Sequence, residues 1–140
     1  MLIVFPSPYY DHPEYGVSLV QADGVYKAGL NEIEGKAVVK AAIELMKSHR
    51  DQSLGLVAVN AKQTEFIREL LDKEIASDPA AAAYAQAWNG KLEEYFVKNL
   101  ENVQGDERDV ILISTVYGKD ESGKFNQRFV QSTEYTVTGV

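Results

Sequence analysis

Cysteine is absent from the 140 residues, which excludes disulfides, thiolate metal sites and a cysteine nucleophile. Histidine is nearly absent. His12 and His49 are the only two, and no ligand spacing around either supports zinc. His49 falls at the end of a predicted helix, where a cation is mildly favoured. No apolar run approaches the roughly 18 residues that cross a bilayer. The opening Met1-Leu2-Ile3-Val4-Phe5-Pro6 is too short, and lacks the basic flank, for a signal peptide. A cytoplasmic location without a membrane partner is the expectation. Positive charge is scarce as well: 14 Lys and Arg stand against 21 Asp and Glu, a net charge of −7, and the cations are scattered singly. Nucleic-acid affinity comes largely from neutralising phosphates, so contact by this chain alone is expected to be weak unless another domain supplies the positive field.

Several catalytic signatures are missing too. No Gly-x-Ser-x-Gly elbow is present, so Ser53, Ser114 and Ser122 read as strand-end or turn residues. The phosphate-binding pattern Gly-x-x-x-x-Gly-Lys-Ser/Thr is absent, since neither Gly118-Lys119 nor Gly123-Lys124 is followed by Ser or Thr. The adjacent carboxylates Glu93/Glu94 and Asp106/Glu107 lack a nucleophile or base partner, and read as solvated surface. No catalytic residue and no metal ligand is assigned.

What is present fits one domain with a real core. The apolar fraction is 45% and the charged fraction 25%, both ordinary for a globular chain. Leu2 to Phe5 is a short apolar run stopped by Pro6 and Pro8, and Val17 to Ala22 is strand-like before the Asp23-Gly24 turn. Asn31 is a helix cap, with Glu34 placed to reach back in a box-like arrangement. Val38, Ala41, Ala42, Leu45 and Met46 then recur at helical spacing to about Ser48. Leu54 to Val59 predicts a strand, and Ala61 to Ala76 a second helix with Ile67, Leu70, Leu71 and Ile75 on one face. Asp78-Pro79 opens a third helix that ends at Asn89-Gly90. Tyr95 to Val97 and Val110 to Val116 predict two further strands, Gly118 to Lys124 a polar turn, and 131–140 a strand or loose tail. Strands that alternate with helices imply an α/β fold: a three-layer sandwich with a mostly parallel central sheet.

The densest signal is the block from Asn99 to Ser114. Its second half is apolar, with β-branched residues at three of the four positions Val110 to Ile113. Its first half places Gly105 between a carboxamide and two carboxylates. A loop rich in hydrogen-bonding groups that empties into a buried strand is how α/β proteins hold a ligand at a sheet edge. Gly105 there implies close backbone approach or a positive φ.

The order Gln104-Gly105-x-Glu107-x-Asp109, within Asn99-Leu100-Glu101-Asn102-Val103-Gln104-Gly105-Asp106-Glu107-Arg108-Asp109-Val110-Ile111, resembles motif V of superfamily 1 helicases, in particular the 5′→3′ branch and its large multidomain bacterial members. Leu54-Gly55-Leu56-Val57-Ala58-Val59-Asn60-Ala61-Lys62-Gln63 resembles motif IV, with Ala58 where the family commonly has Thr. Asn31-x-x-Glu34 resembles the Asn-x-x-Glu before the first helix of the second RecA-like domain.

The resemblance implies a partial second RecA-like motor domain over 1–129, followed by a tail, 130–140, that does not match the family. Gln104, Gly105 and Glu107 would serve the nucleotide, Glu107 accepting from the ribose, and Asn60 and Gln63 would lie near the nucleic-acid backbone. The implied cofactors are ATP and Mg in a longer parent, with none bound tightly by this chain. The implied partners are the first RecA-like domain and DNA or RNA. Motif VI, with its arginine for the γ-phosphate, is not found after Phe129, so the chain is expected to be inactive by itself. The alternative is a non-catalytic α/β interaction module that self-associates into a homo-oligomer.

Overall fold

A computed structural model describes residues 2–5 and 16–124. The order of elements is β1 (Leu2–Phe5), β2 (Gly16–Leu19), α1 (Glu32–Ser48), β3 (Leu54–Ala58), α2 (Ala61–Ser77), α3 (Pro79–Trp88), β4 (Phe96–Asn99), a single 3-10 turn (Leu100–Asn102) and β5 (Val110–Ser114). His12 and the expected tail strand at 131–140 lie outside the described residues.

The helices begin where the sequence supplies acceptors for their free N–H groups. The Asn31 side chain accepts from the Glu34 amide at 3.1 Å, and Asn60 accepts from Gln63 at 2.8 Å. Asp78 accepts from Ala80 and Ala81, with Pro79 at the first helical position. Asp78 also meets Lys47 of α1 at 3.2 Å and donates its backbone N–H to the Ile75 carbonyl of α2, so one residue joins all three helices. The amide bonds to its side chain, and then Lys47, hold its carboxyl below the usual carboxylate range.

The five strands form one sheet in the order β2-β1-β5-β3-β4. β3 pairs parallel with both β4 and β5, while β1 runs antiparallel to β5 and β2 antiparallel to β1. The parallel part places Leu56 beside Val97 and Leu112, and these bury against Val38, Ala42, Met46, Ile67 and Leu71 of the helices. Each large aliphatic side chain so buried contributes about 1.5–3 kcal/mol. Tyr84 of α3 closes this layer, donating its hydroxyl to the Gln52 carbonyl at 2.6 Å; burial pushes its phenol up to about 12.

Among the described residues all three helices lie on this one face. The opposite face carries Gly55, Val57, Phe96, Lys98, Ile111 and Ile113. Residues 100–109 connect the carboxyl end of β4 to the amino end of β5 and lie against this face at Lys98 and Phe96, and a second helical layer is not among the described residues. Gly55 is required at this crossing: a Cβ there would stand 2.5 Å from the Phe96 ring.

Candidate functional site

The second half of the block 100–109 is pinned at Asp106, Arg108 and Asp109. Asp106 meets Lys98 at 2.9 Å. Arg108 stacks on the Phe96 ring at 4.9 Å and donates twice to the Glu94 carbonyl. Asp109 accepts from the backbone and hydroxyl of Ser53 at 2.8 and 3.1 Å, while its own amide donates back to the Ser53 hydroxyl. Gln104 precedes these pins, and Glu107 stands between Asp106 and Arg108. Both are exposed, and among the described residues neither side chain has a hydrogen bond or ion pair. Gly105 has φ +84° with open space where a Cβ would be, so backbone conformation rather than close approach requires glycine there. Gln104, Gly105 and Glu107 thus form a surface of free polar groups on a loop held down by Asp106, Arg108 and Asp109.

Asn60 and Gln63 are used differently. Asn60 is half-buried, caps α2 and donates its Nδ2 to the Gly29 carbonyl at 2.9 Å. The turn it meets, Ala28-Gly29, has φ of 51° and 85°, and Lys62 donates to its Ala28 carbonyl. Gln63 is 0% exposed. Its Oε1 accepts from the Asn31 amide at 3.0 Å, and its Nε2 donates to the Asn31 carbonyl and to the Ser114 hydroxyl. In this conformation Gln63 offers no surface to a nucleic-acid backbone. It is a clamp between the starts of α1 and α2.

That clamp also corrects the expected capping box. Asn31 performs its half, but Gln63 rather than Glu34 takes the Asn31 amide. Glu34, 5% exposed, turns to the end of β5, where its Oε1 accepts from the Ser114 hydroxyl at 2.5 Å and the Val116 amide at 2.9 Å. The strand predicted to reach Val116 therefore stops at Ser114. Helical spacing carried the missing signal: Gln63 lies one turn before Ile67 and Glu34 one turn before Val38, both on buried stripes.

Beyond these two regions, Asn99 Oδ1 at the end of β4 is buried and unpaired. A groove of about 730 Å³ between α1 and α2, floored by Val39, Ile43 and Leu70, contains none of the motif residues. Ser53 and Ser114 stand at strand ends and Ser122 in the Asp120 turn, as read from sequence. Among the described residues no helix is long and apolar enough to cross a membrane, and no cluster of three or more His, Asp or Glu could hold a metal.

With this fold and loop geometry in place, residues 13–134 match the AAA domain family. The chain belongs to that family. It is 37% identical over 100 residues to the Uncharacterized ATP-dependent helicase MG140 of Mycoplasma genitalium, and 36% identical over 100 residues to its homolog in Mycoplasma pneumoniae. Each match covers 69% of this chain and 9% of the relative, so the chain spans only a small part of those proteins. No solved structure matches. These matches bear out the helicase resemblance carried by the motif residues.

Proposed function

We propose that the chain contributes one face of the nucleotide site in an ATP-dependent helicase of superfamily 1, in its 5′→3′ branch, as part of the second RecA-like motor domain. The observation that carries this is the contrast within 104–109. Asp106, Arg108 and Asp109 are spent on anchoring, while Gln104 and Glu107 are left free and exposed on a fixed loop. Preorganised polar groups of this kind suit a ligand that arrives with its own donors. Glu107 would accept from the ribose hydroxyls of ATP, and Gln104 with the Gly105 backbone would line the adjoining surface.

These residues fit the sugar side of a nucleotide only. The sequence holds no phosphate-binding lysine loop, and no acidic cluster for Mg stands among the described residues. The phosphates and Mg would be held by the first RecA-like domain, the proposed partner. Nucleic acid would approach the start of α2, where Asn60 and Lys62 stand. DNA or RNA binding by this acidic chain alone would be weak. The setting proposed is the cytoplasm.

The test has two arms. The chain alone is expected to show no ATP hydrolysis; hydrolysis that survives Glu107→Ala would overturn the role of that residue. In a protein that joins this domain to its phosphate-binding partner, Glu107→Ala is expected to raise the KM for ATP more than it lowers kcat. An unchanged KM would contradict the reading. Light scattering separates the rival, a self-associating module: a stable oligomer that ignores ATP and single-stranded DNA would favour it.

A further inference from the structure

Val116 is a β-branched residue, 0% exposed, with φ +66°. The Tyr117 amide donates to the Thr115 carbonyl at 2.6 Å, so 115–117 is a three-residue γ-turn with a left-handed centre. A left-handed backbone is strained for any residue with a Cβ, most of all a branched one, and it persists only where surroundings enforce it. Here they do so from both sides. Glu34 Oε1 accepts from the Val116 amide at 2.9 Å, and Asn31 Nδ2 donates to the Val116 carbonyl at 3.1 Å. Sequence and tertiary structure conflict at this point: the apolar run from Val110 favours a strand through Val116, and the two side chains end it at Ser114.

We infer that Glu34 and Asn31 form a latch on a two-state turn. Latched, Val116 is left-handed and the chain swings Tyr117 against Tyr26, ring centroids 5.2 Å apart, beside the Tyr26 amide bonded to the Lys119 carbonyl. Released, Val116 returns to negative φ, β5 runs on in line, and the two tyrosines part. The latch joins the start of α1 to the carboxyl edge of the parallel strands, the edge on which α/β proteins place ligands. It sets the path of 115–124 whatever the ligand at that edge, and does not depend on the helicase reading.

The experiment uses NMR on the full chain, with the intraresidue amide-to-Hα coupling and NOE giving the sign of φ at Val116, and Tyr26–Tyr117 NOEs reporting the ring contact. Wild type is expected to show positive φ and the contact. Glu34→Gln keeps both, because its Oε1 still accepts. Glu34→Ala loses both while the helices remain. Glu34→Ala with Val116→Gly regains the tyrosine contact, because glycine takes the turn without strain. In a double-mutant cycle, Glu34→Ala is expected to lower the folded-to-unfolded ratio about tenfold more in the Val116→Gly background than in wild type, because release of Val116 recovers strain that glycine never carries. Positive φ at Val116 in folded Glu34→Ala overturns the latch, as does additive behaviour in the cycle. If Glu34→Ala does not fold, the double variant decides: a folded double variant supports the latch and an unfolded one overturns it.

Discussion

Gln63 and Gln104 are the same residue type, one in the first turn of α2 and the other in a polar loop, each beside a parallel strand, and each reads from sequence as a ligand contact. Gln63 is fully buried, its amide divided between the Asn31 peptide and Ser114. Gln104 is exposed on a loop held by its neighbours. The difference lies in what each could satisfy by folding. The start of α2 abuts the start of α1, where backbone groups need partners, and a buried amide that meets them avoids a cost of about 1–3 kcal/mol for each group left unpaired. The loop at 104–107 faces no such need, so its polar groups remain available.

Several measurements break or sharpen this contrast. Gln63→Ala leaves the Asn31 N–H unpaired and takes one of two donors from the Asn31 C=O, which keeps the Gly35 amide, and is expected to cost about 3 kcal/mol in urea unfolding. Gln104→Ala should stay within about 0.5 kcal/mol of wild type. Equal losses would erase the distinction. Next in size is Gly55→Ala, whose Cβ would strike the Phe96 ring at 2.5 Å and cost about 2 kcal/mol. Because Arg108 stacks on that ring, this variant should also speed amide exchange across 104–107; unchanged exchange would show that Phe96 does not anchor the block.

Two smaller effects belong to the helical layer and serve as controls. Tyr84 keeps its proton in the fold to about 12 against an ordinary 10.0, so its contribution is complete below pH 10 and declines as pH rises toward 12, by about 2 kcal/mol at most. Tyr84→Phe should remove that slope. Asp78 is shifted the other way. Its contribution is present above the ordinary carboxylate range and is lost as pH falls through its lowered folded value, and Asp78→Asn should flatten the acid limb. The smallest expected effect is Glu107→Ala, within about 0.5 kcal/mol in unfolding.

Local signals made the helices legible. Asn31 and the pair Asp78-Pro79 marked starts, the 3.6-residue stripe marked buried faces, and the apolar runs at Leu54 and Val110 marked the central strands. The candidate site was half legible. Glycine at 105 and its polar neighbours were visible as a loop, but the pins at Lys98, Phe96 and Ser53 were not, because Ser53 and Asp109 meet across 56 residues of chain. The internal duty of Gln63 was hidden by the same cause, its partner Asn31 lying 32 residues away. The end of β5 at Ser114 was illegible because propensity favours continuing the strand, and only the Glu34 and Asn31 contacts oppose it.

We propose that the free groups at 104–107, and not the buried amide of Gln63, face the ligand. Titration of the ¹⁵N-labelled chain with Mg-ATP at millimolar concentration tests it directly. The account predicts weak, saturable shifts centred on the amides of Gln104 to Glu107, with the Gln63 side-chain amide unmoved. Shifts centred on the α1–α2 groove, or none at 104–107, would contradict it.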